Sequence, residues 1–278
     1  MSSQADVTAL HDREVEFHDD WASDTPADEI LVREFFEAPT AVENQFILKR
    51  LGGLKGKKIL DIGAGLGESS VYFALRGAHV TTVDISPLMV KKAVELGKKF
   101  GVELQGVVSG GEDLQVLEDE FDIIYLANTI HHVHDRARLF EQISRALKPG
   151  GIFFSYDPLA YNPLINIYRG IATKVRTVDE APLTLADIRL AKKYFRGVGH
   201  REFWISTLVL FVKYFLIDRI HPNQDRYWKR MLREKDGSLR WWTPLRALDS
   251  VLTRIPGVRW MAWNVVMWGH KASKTSES

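Results

Sequence analysis

Apolar residues between positions 58 and 156 fall into short runs that alternate with longer amphipathic stretches. The short runs predict five strands, at Lys58–Ile62, His79–Asp84, Glu103–Val108, Phe121–Ala127 and Ile152–Tyr156. The stretches between them predict helices at Glu68–Arg76, Pro87–Phe100 and Ala137–Leu147. Strands that alternate with helices at this spacing predict a doubly wound α/β fold, with a parallel sheet covered by helices on both faces.

The pattern is weaker on both sides of this region. Residues 1–25 are polar and are predicted to be irregular at their start, with short helices near 27–37 and 40–52. Residues 157–183 carry several prolines and little periodicity, which indicates an insertion or lid. Further along, the pattern predicts a helix from Thr184 to Phe195 and strands at Gly199–Trp204 and within Trp260–Trp268.

A long segment, 205–259, separates the last two predicted strands. The sequence therefore predicts an N-terminal helical cap (1–50), an α/β domain (51–204 and 260–271) and a helical insertion or lid (205–259). Residues 203–217 are almost continuously apolar, but the run is shorter than the roughly 20 residues that span a bilayer. Two interpretations remain open: a lid or peripheral membrane contact through 203–217, or a helix buried against the sheet.

Composition narrows the class of protein. The 278 residues are 45% hydrophobic and 26% charged, which is typical of a globular protein. Cysteine is absent, which excludes disulfides, thiolate metal sites and cysteine nucleophiles. This absence and the polar N-terminus lead us to expect a cytoplasmic protein, with peripheral membrane association as an addition.

Charge and tryptophan are unevenly distributed. Residues 1–30 hold nine acidic residues and one arginine, whereas residues 196–278 hold fifteen Lys or Arg and seven acidic residues. Seven of the eight tryptophans lie at or after Trp204. A basic, aromatic C-terminal part indicates an anionic partner or a membrane surface, unless the two ends offset each other on one surface.

The chemistry begins at the segment Ile59–Gly67, where a strand leads through an acid into a glycine turn and then a helix. Glycines let the backbone approach a ligand closely, and the helix N-terminus favours a carboxylate. Asp84 ends the next strand, where a carboxylate can accept hydrogen bonds from ribose hydroxyls. The glycine spacing G-x-G-x-G differs from the G-x-G-x-x-G of dinucleotide enzymes, which argues against a nicotinamide-dependent dehydrogenase.

Four segments together resemble the class I S-adenosylmethionine-dependent methyltransferases, in particular the ubiquinone- and menaquinone-biosynthesis group: Asp61–Gly67, Asp84–Pro87, Phe121–Ile124 and Leu147–Gly151. The resemblance covers about residues 40–157 and the last two strands. It implies a Rossmann-like methyltransferase fold, whose seven-stranded and mostly parallel sheet has an antiparallel last strand. It also implies S-adenosylmethionine as the cofactor, bound by the domain 51–204 and 260–271.

The resemblance also implies a set of cofactor-binding residues: Asp61, Gly63, Ala64, Gly65, Gly67, Asp84, Ile85, Glu112, Asp113 and Asn128. Similar proteins often have an acidic residue two positions before the one that corresponds to Glu112, where this chain has Gly110. The partner of the adenine amine is therefore open between Asp113 and a backbone carbonyl.

Methyl transfer from a sulfonium is an in-line displacement, so the enzyme's main task is to align the reactants and exclude water. A general base is needed only if the acceptor must lose a proton. The candidate catalytic residues are His131 and His132 after the fourth strand and Asp157 after the fifth, although packing or capping roles would also explain them. Because His131, His132, His134 and Asp135 lie in one short loop, we predict no metal.

A further group is assigned to the substrate or the lid: His18, Trp21, Tyr156, Tyr161 and Trp204. His18 and Trp21 belong, with Asp19, to a segment that folds over the donor in similar enzymes; a disordered acidic leader is the alternative. The predicted function is methyl transfer to a small, largely apolar metabolite of the quinone, isoprenoid, lipid or polyketide-like kind. An RNA or protein methyltransferase and a non-catalytic nucleoside-binding protein are the alternatives, and a nucleic-acid partner is not favoured. The oligomeric state is left open.

Overall fold

Seven strands form one sheet in the order β3-β2-β1-β4-β5-β7-β6. The computed structural model describes residues 4–114, 116, 118–177, 180–233 and 239–273, with the backbone alone for 4–10 and 239–240. The strands are β1 (Lys58–Ile62), β2 (His79–Asp84), β3 (Leu104–Val108), β4 (Phe121–Ala127), β5 (Leu147–Pro158), β6 (Arg196–Phe203) and β7 (Asn264–His270). Strands β1 to β5 pair in parallel, and β7 runs antiparallel to both β5 and β6. The predicted fold class is confirmed.

Eleven α-helices surround this sheet within the described residues. They are α1 (Gln4–Asp24), α2 (Glu34–Glu37), α3 (Val42–Leu51), α4 (Glu68–Leu75), α5 (Pro87–Lys99), α6 (Arg136–Ala146), α7 (Pro163–Ile171), α8 (Leu185–Tyr194), α9 (Val209–Val212), α10 (Tyr227–Arg233) and α11 (Leu239–Leu252). Short 3-10 turns lie at Gly111–Asp113, Ile130–His132, Ser206–Leu208 and Val258–Met261, and a π-helical turn at Lys213–Ile217.

The central strands bury both of their faces. In β1, Leu60 contributes to the apolar layer under α6 and α8, whereas Ile59 contributes to the layer under α3, α4 and α5. In β4, Ile124 and Tyr125 divide in the same way. Successive strand residues point to opposite faces, and this is why these strands appear in the sequence as continuous apolar runs.

The order of the strands places the site. The chain winds outward from β1 in one direction to β2 and β3, and in the other direction to β4 and β5. In such sheets ligands bind at the carboxyl edge, in the crevice where the strand order reverses. The residues that directly follow β1, β2 and β4 therefore meet at one position beside the sheet.

The segment between β6 and β7 forms a third apolar cluster beside the sheet. Its buried members come mainly from this segment and include Trp204, Leu208, Phe211, Tyr214, Tyr227, Met231 and Trp242. The Asp249 carboxylate of α11 holds the start of the segment, because it accepts hydrogen bonds from the backbone N–H of Ser206 (2.6 Å) and the hydroxyl of Thr207 (2.5 Å). The division into cap, domain and insertion stays a prediction, and residues 1–3 and 234–238 of it lie outside the described residues.

Two local predictions are wrong, those for the N-terminal segment and for 27–37. Residues 4–24 are helical rather than irregular. The segment 157–183 contains α7, whose first turn is capped by the side chain of Asn162, and its role as an insertion or lid stays a prediction. The helix predicted over 27–37 is reduced to α2. The last strand begins at Asn264, because the 3-10 turn Val258–Met261 takes up the preceding residues.

No helix in the described part of the chain combines the length and apolar character needed to cross a membrane.

Candidate functional site

A cavity of about 320 Å³ opens at the carboxyl edge of the sheet, at the strand-order reversal. Its wall is formed by the glycine turn after β1, the ends of β2 and β4, helix α1, helix α7 and residues 226–232. Most of the predicted site residues lie in this wall: Gly63, Ala64, Gly65, Asp84, Ile85, Glu112, Asn128, His131, His132, His18, Trp21, Tyr156 and Trp204.

The three glycines of the turn have different surroundings. Gly65 has a φ of +55°, and a Cβ built there would meet no atom within 4 Å, so the backbone presents an open face to the cavity. A Cβ at Gly63 would lie 2.6 Å from Cγ2 of Thr129, and one at Gly67 would lie 2.7 Å from Cβ of Ala93. Gly67 therefore allows α4 and α5 to approach each other and does not line the cavity, unlike the prediction.

Asp61 supports the turn from behind. It is buried, its Oδ2 accepts hydrogen bonds from the hydroxyls of Ser69 (2.5 Å) and Ser70 (2.6 Å), and burial raises the pKa of its carboxyl to about 6. These contacts agree with its predicted role of organising the loop. The side chain lies outside the cavity wall, however, so the structure does not support direct contact with the cofactor.

Asp84 connects the end of β2 to the glycine turn. Its Oδ2 accepts a hydrogen bond from the backbone N–H of Gly65 (2.9 Å) and its Oδ1 from that of Ser86 (3.0 Å). Burial raises the pKa of this carboxyl, and the charge of His18 and these two hydrogen bonds oppose the increase. Each carboxylate oxygen can accept more than one hydrogen bond, so Asp84 can also bind the hydroxyls of a ligand.

The far end of the cavity is formed by residues 109–112. Oε1 of Glu112 accepts a hydrogen bond from the backbone N–H of Asp135 (2.6 Å), which fixes this side chain at the wall. Asp113 instead points to solvent and pairs with Arg138, so it does not reach the cavity. Of the two partners considered for an adenine amine, the backbone around Gly110 lines the cavity and Asp113 does not.

Asn128 follows β4 with a φ of +52°, and its backbone N–H donates to the carbonyl of Tyr156 (2.8 Å). This bond brings the turn after β4 against the end of β5, so that Asn128 and Tyr156 line the cavity together. Burial raises the pKa of the Tyr156 hydroxyl well above its usual value, so this hydroxyl stays protonated.

His131 and Asp157 form a buried pair, of which His131 belongs to the cavity wall. Nδ1 of His131 lies 2.9 Å from Oδ1 of Asp157, and the backbone N–H of His131 donates to the same oxygen (3.2 Å). Burial lowers the pKa of His131 well below its ordinary value and raises that of Asp157 to about 7. Asp157 is fully buried and does not line the cavity, so the structure gives it the role of orienting His131 rather than of contacting a substrate.

His132 lies in the cavity wall and is held by helix α1. Its Nδ1 is 3.3 Å from a carboxylate oxygen of Glu14, and Nε2 of His18 is 3.4 Å from the same carboxylate. Burial alone would lower the pKa of His132, but the hydrogen bond and charge of Glu14 outweigh it and raise the pKa. Burial would likewise raise the pKa of Glu14, but its hydrogen bonds to the two histidines lower it, so Glu14 is a carboxylate beside an imidazole.

The predicted lid residues separate into two groups. Trp21 faces the cavity with the guanidinium of Arg226 3.7 Å from its ring centroid, and Trp204 is a buried part of the wall. Tyr161 is 39% exposed, its hydroxyl accepts a hydrogen bond from the backbone N–H of Leu185 (3.0 Å), and it does not line the cavity. Tyr161 therefore connects to the start of α8, and its assignment to the substrate or lid stays a prediction.

Several wall residues had no signal in the sequence. They are charged side chains from α1, α3, α4, α7 and the segments after α7 and before α10, namely Glu14, Glu43, Glu68, Arg169, Arg176, Glu180 and Arg226. Each is an ordinary charged residue in its own segment, and only the packing of these segments brings them together. The basic C-terminal part was the only general indication of Arg226.

Two groups of potential ligands share His132. Glu14, His18 and His132, and likewise His131, His132 and Glu180, bring ligand atoms within 4.8 Å of one another. Helix α1 thus adds the carboxylate of Glu14 and the imidazole of His18 to the histidines of the loop after β4. The sequence alone had indicated only the loop. The prediction that no metal takes part stays a prediction.

Comparison with known proteins gives the family of the central region. A family described as a methyltransferase domain matches residues 60–155. The ubiquinone biosynthesis O-methyltransferase of Aeromonas salmonicida is 37% identical over 131 residues, which are 45% of this chain and 54% of that protein. The glycine/sarcosine/dimethylglycine N-methyltransferase of Actinopolyspora halophila is 35% identical over 106 residues, 37% of this chain and 19% of that protein.

Among solved structures, phosphoethanolamine N-methyltransferase 2 of Haemonchus contortus, in complex with S-adenosyl-L-methionine, superposes with a TM-score of 0.59. The match is 21% identical and covers 92% of this chain and 60% of that one, which establishes the shared fold. The chain spans about half the length of the ubiquinone-biosynthesis relatives that it matches.

Proposed function

Because residues 60–155 form a class I methyltransferase domain similar to that of the ubiquinone biosynthesis O-methyltransferases, we propose that the protein is a methyltransferase. It transfers the methyl group of S-adenosylmethionine to a small molecule bound in the cavity. The observation that carries this proposal is the open backbone face of Gly65, held against Asp84 where the strand order reverses. This is the position where doubly wound sheets bind nucleosides.

The residues at this position suit the donor. The backbone from Gly63 to Gly65 would hold the methionine part, and the Asp84 carboxylate would accept the ribose hydroxyls. Ile85 would pack on the adenine at the adjoining wall. A solved structure with the same fold holds S-adenosyl-L-methionine, which supports this choice of cofactor.

The bound donor supplies an electrophilic methyl group, so the protein has to align the acceptor and remove its proton where necessary. We assign the proton acceptor to His132, which lies in the wall and has the more basic imidazole of the two neighbouring histidines. Glu14 orients His132 and makes its imidazole more basic, and Asp157 and His131 hold the turn on which it sits.

The acceptor wall is rich in aromatic side chains. Trp21, Tyr156, Tyr168, Trp204 and Trp228 line the cavity, so an acceptor with an apolar body would bury it here. The relatives include an O-methyltransferase of ubiquinone biosynthesis and an N-methyltransferase named for glycine, sarcosine and dimethylglycine. We propose a small apolar acceptor covered by the 205–259 segment, and the choice among quinone, isoprenoid, lipid and polyketide-like molecules stays a prediction.

Transfer of a labelled methyl group tests this function. We expect the purified protein, given methyl-labelled S-adenosylmethionine and a cell extract, to place the label in the low-molecular-mass fraction. Label in the RNA or protein fraction would support the alternative acceptors, and no label in any fraction, despite donor binding, would support a non-catalytic nucleoside-binding protein. A heat-treated sample of the same protein controls for spontaneous methylation.

Asp84→Ala should weaken donor binding by about 1.5–3 kcal/mol, since it removes charge-assisted hydrogen bonds to the ribose. Calorimetric titration with S-adenosylmethionine measures the change. Asp122→Ala is the matched control, because Asp122 also accepts a backbone N–H, that of Lys58, but at the opposite edge of the sheet. Equal donor affinity in the Asp84 variant and the wild type would show that the ribose binds elsewhere.

Peripheral membrane contact through 203–217 also stays a prediction. Leu216 and Ile217 at the end of this run are 65% and 74% exposed, while Leu210, Phe211 and Tyr214 are buried. The run thus combines the two alternatives of the sequence analysis, with one part in the third cluster and one part at the surface. Flotation with lipid vesicles, compared between the wild type and Ile217→Ser, would test the contact, and equal flotation would argue against it.

A further inference from the structure

Three arginine side chains line the cavity beside the turn that carries His131 and His132. Arg169 lies on α7, Arg176 lies in the loop after α7, and Arg226 directly precedes α10. They come from separate segments of the chain, yet all three reach the same wall. Their charge acts on the turn itself, because Arg169 is one of the groups that lower the pKa of His131.

The surroundings make these positive charges unfavourable. Burial lowers the pKa of Arg169 to about 10, and the neighbouring charge of Arg176 adds to the effect. Burial also lowers the pKa of Arg226 to about 10. Arg169 and Arg226 nevertheless remain protonated at neutral pH, so the wall keeps their positive charges where water is partly excluded.

The acids nearby balance this charge only in part, because one carboxylate, that of Glu180, acts on all three arginines. Arg176 pairs with Glu180, with Nε 2.7 Å from a carboxylate oxygen. Within the described residues, the guanidiniums of Arg169 and Arg226 make no hydrogen bond or ion pair, and Arg226 instead lies over the ring of Trp21. Glu180 and, more weakly, Glu68 act on Arg226 without a direct contact, and the charge of Lys229 acts on Glu68 more strongly than that of Arg226 does.

We propose that Arg169, Arg176 and Arg226 form a subsite for an anionic group of the methyl acceptor, a carboxylate or a phosphate. The inference rests on the proposed function and narrows its substrate class. Guanidinium groups bind both anions through paired N–H donors, and partial burial strengthens such contacts. With Tyr168 and Trp228 in the same wall, the inferred acceptor has an apolar body and an anionic end, which favours a carboxylic acid or phosphate ester over a neutral quinone or isoprenoid.

Small aromatic probes test this subsite. The protein is saturated with S-adenosylhomocysteine and titrated with benzoate, phenyl phosphate and neutral benzamide, with quenching of tryptophan fluorescence as the readout. We expect at least one anion to bind about tenfold or more tightly than benzamide, and the preferred anion distinguishes carboxylate from phosphate. Equal affinity for all three probes would overturn the proposal.

Arg169→Gln should reduce the affinity for the preferred anion about tenfold or more and leave S-adenosylhomocysteine binding unchanged, which also shows that the variant folds. If that variant does not fold, Arg226→Gln serves in its place. Arg189→Gln on the exposed part of α8 is the control. Unchanged anion affinity in the Arg169 variant would overturn the subsite, as would a loss of S-adenosylhomocysteine binding alone, which would assign the arginine to the donor carboxylate.

Failure of this inference and failure of the proposed function give different results. If S-adenosylhomocysteine does not bind the wild type, the proposed function fails, and the same probes on the protein alone still support or overturn the anion subsite. If S-adenosylhomocysteine binds and the anions show no dependence on Arg169, the function stands and the subsite is wrong.

Discussion

Gly65→Arg is expected to abolish measurable binding of S-adenosylmethionine. Of the three glycines of the turn, only Gly65 has open space where a side chain would begin, and an arginine there would occupy the proposed position of the donor. The left-handed φ of +55° adds strain of roughly 1–2 kcal/mol, which a domain of this size can tolerate. Calorimetric titration should detect no binding at donor concentrations that saturate the wild type.

Substitution of a second glycine distinguishes the loss of the donor site from the effect of backbone strain. Gly101 after α5 also has a positive φ, +71°, and a Cβ there also meets no atom within 4 Å, but it lies on the surface away from the cavity. Gly101→Arg should therefore bind the donor like the wild type. Donor binding retained in the Gly65 variant would place the methyl donor elsewhere in the molecule.

His132→Asn should lower the rate of methyl transfer about 10²–10⁴-fold, because it removes the proposed proton acceptor. Donor affinity should stay unchanged, because His132 is not among the residues proposed to bind the donor. Turnover with a labelled donor and the acceptor found in the extract measures this. His134→Asn, in the same loop but exposed and outside the cavity wall, is the matched control and should keep the wild-type rate. Equal rates in the two variants would exclude His132 as the base.

The pH dependence of the methyl-transfer rate should also identify His132 as the base. Only neutral His132 can accept a proton, and the Glu14 contact raises its pKa above the ordinary value of 6.5. Activity should therefore increase as the pH rises through a midpoint above 6.5. In Glu14→Gln the midpoint should move to lower pH, because the neighbouring negative charge is gone. A midpoint that does not move would show that the titrating group is not His132.

Much of the fold could be predicted because it depends on local pattern. The strands β1, β2 and β4 were predicted with their observed bounds, since buried parallel strands are short apolar runs bounded by glycine or acidic residues. The sheet edge then brought Gly65, Asp84 and Asn128 together, as expected from parallel topology. Asp113 and Tyr161 lie outside the cavity wall, because a sequence position next to the site does not determine where a side chain points.

The rest depends on tertiary contacts that no local pattern encodes. Helix α1 is so acidic that it resembled an irregular leader, yet Glu14 is buried against His132, and Asp19 accepts a hydrogen bond from Ser86. Arg169 and Arg226 are separated by more than fifty positions and meet only because α7 and the β6–β7 segment pack around one cavity. The charged residues of the acceptor wall could therefore not be predicted from the sequence, whereas the backbone turn of the donor site could.

The most direct test of the account is a crystal structure of the protein with S-adenosylmethionine. We expect the methionine part to lie against the backbone of Gly65, the ribose hydroxyls to contact the Asp84 carboxylate, and the methyl group to face the side of the cavity that carries His132. A cavity that is empty beside Gly65 at saturating donor, or one that holds the donor away from Asp84, would contradict the account.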